Sequence, residues 1–174
     1  MKRTRMLTMM AVFVAIGTIG SQFLWFPAGI AKAYPVQHAI NVMAAVMLGP
    51  GPAVAIAFMI ALLRILLGIG SILAFPGGMI GAFLAGYLYK KITNITWAAV
   101  GEIIGTGMMA SLFSVPFAKL LMGSSVGAFF YMPSFLISSI SGSLIGGLIV
   151  ARMKQVPRLQ QVKARQIFAD ISRK

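Results

Sequence analysis

The stretch Leu7-Thr-Met-Met-Ala-Val-Phe-Val-Ala-Ile-Gly-Thr-Ile-Gly-Ser-Gln-Phe-Leu-Trp-Phe26 carries no charged side chain and follows directly on Lys2, Arg3 and Arg5. As a helix it would rise about 30 Å, the thickness of a bilayer's hydrocarbon core. Comparable apolar runs recur at Ala53 to Leu67 and Ala128 to Val150, and 59% of the 174 residues are hydrophobic. Only two carboxylates are present, Glu102 and Asp170. A soluble domain of this size could not bury so much apolar surface, and unburied patches aggregate. The expected class is an all-α integral membrane protein, and the basic start is not read as a cleavable signal because further apolar segments follow it.

The net charge of +13 is spread in a way that excludes a nucleic-acid patch and sets an orientation. Lys2, Arg3 and Arg5 precede the first run, Lys90 and Lys91 follow the fourth, and Arg152, Lys154, Arg158, Lys163, Arg165, Arg173 and Lys174 follow the last. Six crossings put all of these on one side, and positive loops stay inside, so both termini are expected in the cytoplasm. Lys32 falls in the first external loop, while Arg64 and Lys119 lie within apolar segments. With zero cysteines, neither a disulfide nor a thiolate metal site is expected.

Turn chemistry divides the chain. Pro27 to Pro35 holds two prolines and a glycine, so it is expected to be non-helical and more elaborate than a simple hairpin loop. The second apolar segment, Val36 to Leu48, ends at Gly49-Pro50-Gly51-Pro52 and spans only ~20 Å, shorter than the membrane core. The third span is read as Ala53 to Leu67. The fourth, with Pro76 in its first turn, ends at Tyr89. Asn94 or Thr96 caps a fifth helix from Trp97 to Leu121, closed by the turn Gly123 to Gly127, and the sixth span is Ala128 to Val150. Residues 1–152 are read as the membrane domain and 153–174 as a basic cytoplasmic tail. Val156, Leu159, Val162 and Ile167 give that tail a loosely helical apolar spacing, which suits either an amphipathic surface helix or a solvated strand of chain.

Catalytic signatures are missing. The chain has no G-x-x-x-x-G-K-[ST] phosphate loop, no H-E-x-x-H and no recognisable nucleophile with its base, so no enzyme, cofactor or metal site is expected. Ionisable groups within the bilayer cost roughly 2.5 to 3.5 kcal/mol each, which makes Arg64, Glu102 and Lys119 informative. Arg64 and Glu102 could neutralise each other, and Lys119 could snorkel to the outer interface. The segment Lys32-Ala-Tyr34-Pro-Val-Gln37-His38-Ala-Ile-Asn41 concentrates polar groups outside, with His38 and Asn41 on one helical face. Such a set either satisfies a polar helix start or lines a pocket for a small heterocycle. Small residues at Ala11 and Ala15, Gly17 and Ser21, Gly101 and Gly105, and Gly142 and Gly146 permit close helix approach.

The motifs Lys32-x-Tyr-Pro-x-Gln-His38-x-Ile-Asn41-Val, Met47-Leu-Gly-Pro50, Arg64-x-Leu-Leu-Gly-x-Gly-Ser71-x-Leu-Ala-Phe75-Pro-Gly and Gly101-Glu102-x-Ile-Gly-Thr106-Gly resemble the ThiW-type S components of energy-coupling factor transporters. The resemblance extends to about Arg152. It implies a six-helix bundle in the cytoplasmic membrane that captures a thiamine precursor, a thiazole, from outside. It also implies a T subunit, met through Ala11 and Ala15, and two ATPase subunits. It places Lys32, Tyr34, Gln37, His38 and Asn41 as lid and wall of the ligand site, with Ser71 and Phe75 nearby; Arg64, Glu102 and Lys119, singled out by their charge, are further candidates. The charges leave open whether the ligand is hydroxyethylthiazole, its phosphate, a carboxylated thiazole or thiamine, whose cationic ring would meet Lys32, Arg64 and Lys119. The rival readings are a stand-alone secondary carrier, a membrane enzyme and a packing subunit with no ligand of its own.

Overall fold

The computed structural model describes residues 3–28, 31–72, 74–123 and 127–171, with side chains beyond Gln155 outside the description. The charges at Lys2, Arg173 and Lys174, the turn residues 124–126 and the apolar pattern of the tail therefore lie outside it. Helix α1 covers Arg3–Phe23 and is followed by strands β1 (Phe26–Ala28) and β2 (Ala31–Ala33). Then come α2 (Pro35–Leu48), α3 (Pro50–Leu66) and α4 (Ala74–Ile92). One continuous rod follows, made of α5 (Ile95–Glu102), a π-helical segment (Ile103–Met109) and α6 (Ala110–Met122). The last helix, α7, runs from Ala128 to Ile171. Three helical stretches are long and apolar enough to cross a membrane: Arg3–Phe23, Ile95–Leu120 and Phe129–Gln155.

Local chemistry accounts for the breaks. Between α2 and α3 the interruption is a single residue, Gly49 at φ +89°, and Pro50 occupies the first turn of α3. The second helix is short, at 14 residues. Asn94 caps α5, its Oδ1 accepting from the Thr96 backbone N–H at 2.9 Å. The segment expected to be non-helical and more elaborate than a simple hairpin loop forms a short antiparallel strand pair, Phe26 opposite Ala33 and Pro27 opposite Lys32. Pro27 can sit there because it belongs to an edge strand. The helix of the last span continues past Val150 to Ile171.

At the centre, α2 packs against α1, α3, α4 and α7, so a helix too short to span the core is enclosed by protein, with none of its residues exposed. The buried core there is rich in small residues: Ala44, Ala45, Ala53, Ala57, Ala82, Ala85 and Ala98 cluster with Phe13, Ile40, Val42, Ile56 and Ile60. Glycines set the closest crossings. A Cβ on Gly105 would lie 2.6 Å from the Gly81 Cα, and one on Gly146 would lie 2.8 Å from the Ala39 Cα. The pairs Gly101/Gly105 and Gly142/Gly146 thus serve packing inside the molecule. Gly17 and Ser21 are buried as well, whereas Ala11 and Ala15 are exposed. These two alanines line a shallow apolar groove between α1 and α3 with Met10, Val14, Met59 and Leu63.

Candidate functional site

A cavity of about 520 Å³ opens where the β1–β2 hairpin, the start of α2, the end of α3, the start of α4 and the first turns of α7 converge. Tyr34, Gln37 and His38 come to it from the start of α2, Arg64 and Ile69 from the end of α3, and Gly77 and Gly78 from α4. Trp25, Lys32, Ser71, Thr106, Tyr131, Phe135 and Ser138 also line it. Two serines of α7 tie the hairpin in place. Ser134 Oγ donates to the Ala28 carbonyl at 2.6 Å, and the Tyr34 N–H donates to Ser138 Oγ at 2.8 Å.

Two polar clusters stand side by side at this wall. In the first, Arg64 is 2% exposed, donates to Gln37 Oε1 and reaches the Ile69 carbonyl at 3.4 Å. Its guanidinium carbon lies 3.8 Å from the centre of the Tyr34 ring, and the Tyr34 hydroxyl donates to the same Ile69 carbonyl at 3.3 Å. That carbonyl is presented by the loop after α3, which folds back so that the Ile69 and Gly70 N–H groups both bond the Arg64 carbonyl, at 2.9 and 3.0 Å. Gly68, at φ +70°, makes the turn.

The second cluster is built on Glu102. Its Oε1 lies 2.8 Å from His38 Nδ1, 2.9 Å from Asn41 Nδ2 and 3.0 Å from Thr106 Oγ1. Asn41 and Thr106 also lie within hydrogen-bond reach of the Gly78 and Gly77 carbonyls, at 3.2 and 3.1 Å. Glu102 Oε2 has no partner among the described residues, because it rests on Gly81, where a Cβ would lie 2.6 Å away. With Nδ1 held by the carboxylate, the ring of His38 is oriented and Nε2 has no partner among the described residues. Thr106 sits in the π-helical segment that begins directly after Glu102; π-bulges often mark functional positions.

The ion pair entertained between Arg64 and Glu102 is not formed. Histidine takes the carboxylate instead: His38 and Asn41 both reach Glu102 from α2, while Arg64 at the end of α3 reaches Gln37, one position earlier on α2. Of the residues anticipated around a ligand, Lys32, Tyr34, Gln37, His38, Arg64 and Ser71 line the cavity. Asn41 and Glu102 lie behind that wall, as its support. Phe75 packs on Phe58 with ring centroids 5.3 Å apart and does not line the cavity; Lys119 is exposed on α6 and does not line it either. Thr106 was missed, though its spacing of four from Glu102 places both on one helical face. Tyr131, Phe135 and Ser138, four and then three apart, likewise share one helical face.

The chain shares its fold with the solved S component of a bacterial ECF transporter. The two superpose with a TM-score of 0.75 over 89% of this chain and 98% of that one, at 17% sequence identity. No curated protein matches it. Apolar helices in this arrangement define the class: a multi-pass membrane protein with the S-component fold. Residues 7–156 match the family described as thiamine-precursor transporter protein (ThiW), and the chain belongs to that family. Its function is thiamine-precursor transport.

Proposed function

We propose that the chain is the substrate-capture subunit of an ECF-type importer and that the cavity beside His38 and Arg64 receives the thiazole portion of thiamine. The observation that supports this most is the composition of that wall: aromatic rings from Trp25, Tyr34, Tyr131 and Phe135 beside hydrogen-bonding groups from Gln37, His38 and Arg64. A volume of about 520 Å³ holds a small heterocycle with room for a polar arm. The ring stacks on an aromatic face, and Gln37 or His38 Nε2 bonds its nitrogen or arm. The hairpin held by Ser134 and Ser138 covers the ligand and excludes water.

In this reading the protein crosses the cytoplasmic membrane six times with both ends inside, and the cavity faces out. Residues 1–152 form the membrane unit and 153–174 a basic tail on the inner surface. The exposed Ala11 and Ala15 groove receives a T subunit, and two ATPase subunits supply the energy. Titration calorimetry on the purified chain with hydroxyethylthiazole, its phosphate, thiamine and riboflavin is the test. Saturable heat from a thiazole compound and none from riboflavin is expected; heat from none of the thiazoles overturns the proposal. Vesicles holding this chain alone should bind but not accumulate ligand, and ion-driven accumulation would favour a stand-alone carrier.

A further inference from the structure

We infer that the ligand bears an anionic oxygen-acid group, a carboxylate or a phosphate monoester, and that Arg64 receives it. The inference rests on the cavity being the thiazole site. Arg64 is 2% exposed, yet the partners it has are neutral: the Gln37 amide oxygen, the Ile69 carbonyl and the face of Tyr34. A guanidinium has five N–H donors, and two hydrogen bonds are made here, with Nε buried and unbonded among the described residues. A second cation, Lys32, also lines the wall, its Nζ 4.0 Å from the centre of the Trp25 ring.

Among the described residues nothing negative answers these charges. Glu102 spends Oε1 on His38, Asn41 and Thr106, turns Oε2 onto Gly81 and does not line the cavity. The chain's other carboxylate, Asp170, belongs to the distal end of α7. Among the described residues the wall therefore presents two cations and no carboxylate. A buried charge without a counter-ion is costly, and a planar fork of N–H groups matches the paired oxygens of a carboxylate or phosphate. A neutral alcohol leaves that charge unanswered, and the fixed positive charge of thiamine opposes it.

The test compares, by calorimetric titration of the full chain in lipid nanodiscs, 4-methylthiazole bearing a neutral hydroxyethyl arm, the same arm as its phosphate ester, and a thiazole carboxylate. At least one anion should bind about tenfold or more tightly than the neutral alcohol, and the preferred anion tells phosphate from carboxylate. Two variants locate the effect. Arg64→Gln should bring the anion-to-alcohol affinity ratio close to one. Gln37→Glu, which hands Arg64 a carboxylate from within the protein, should lower the same ratio while preserving a paired guanidinium for folding. An alcohol that binds as well as both anions, or a ratio unmoved in the folded Gln37→Glu protein, overturns the inference and leaves the thiazole site standing. Failure of all thiazoles to bind removes both.

Discussion

His38 Nδ1 on α2 and Glu102 Oε1 at the end of α5 lie 2.8 Å apart, with the carboxylate fully buried and the histidine on the cavity wall. The pair joins the enclosed helix α2 to the start of the π-helical segment. It also leaves Nε2 as the imidazole nitrogen not held by the carboxylate. The energetic weight of Glu102 follows from its company, since Asn41 and Thr106 share the same oxygen.

Glu102→Ala should therefore destabilise the protein by about 3 kcal/mol, because a buried donor left without an acceptor costs ~1 to 3 kcal/mol and several are orphaned together. Glu102→Gln, which keeps the shape and an acceptor oxygen, should cost less. Thermal unfolding in detergent checks the order; equal stability of the alanine variant and wild type would contradict the network.

Gly81→Ala places a methyl group 2.6 Å from Glu102 Oε2 and 2.8 Å from its Cδ. Moving a buried carboxylate off its three partners should cost about 2 kcal/mol, within the range for overpacked interiors. Gly51→Ala is the control, since nothing lies within 4 Å of its added Cβ. It should be neutral or slightly stabilising.

Ser138→Ala removes the acceptor that holds the Tyr34 N–H, a bond of 2.8 Å across a sequence separation of 104. Amide exchange at Tyr34 should quicken by roughly fivefold, the equivalent of one hydrogen bond of ~1 kcal/mol. If the hairpin is the cover, ligand dissociation should quicken with it. Unchanged exchange would show that the hairpin is held by other contacts.

Ala11→Leu together with Ala15→Leu fills the exposed groove between α1 and α3 without touching the cavity. Binding should survive and transport should fail if a T subunit docks there. Joint loss of both activities would point to misfolding or to a different docking face.

With zero native cysteines, single cysteines at Arg3, Lys90 or Lys32 report sidedness without background. A membrane-impermeant maleimide applied to intact cells should label position 32 and spare positions 3 and 90. The opposite result would invert the proposed topology.

The helical membrane architecture, the breaks at Gly49 and Pro50 and the cap at Asn94 were legible because apolar run length and turn chemistry are local properties. The polar segment from Lys32 to Asn41 also stood out, since polar groups are scarce in such a sequence. The pairing of Phe26 to Ala33 was not legible: its strands are three residues each, and the contacts that anchor them come from α7 serines more than a hundred residues away. Phe75 and Lys119 carried suitable chemistry, but the rotation of their helices turned one onto Phe58 and left the other exposed.

Sequence by itself determined that this chain lies in lipid and which few polar side chains it must accommodate there, because every charge in an apolar run demands a partner. Only the tertiary structure decided the pairing. The approach of α2 to α5 gave Glu102 to His38 and left Arg64 with neutral company, a choice governed by helix faces brought together from distant parts of the chain.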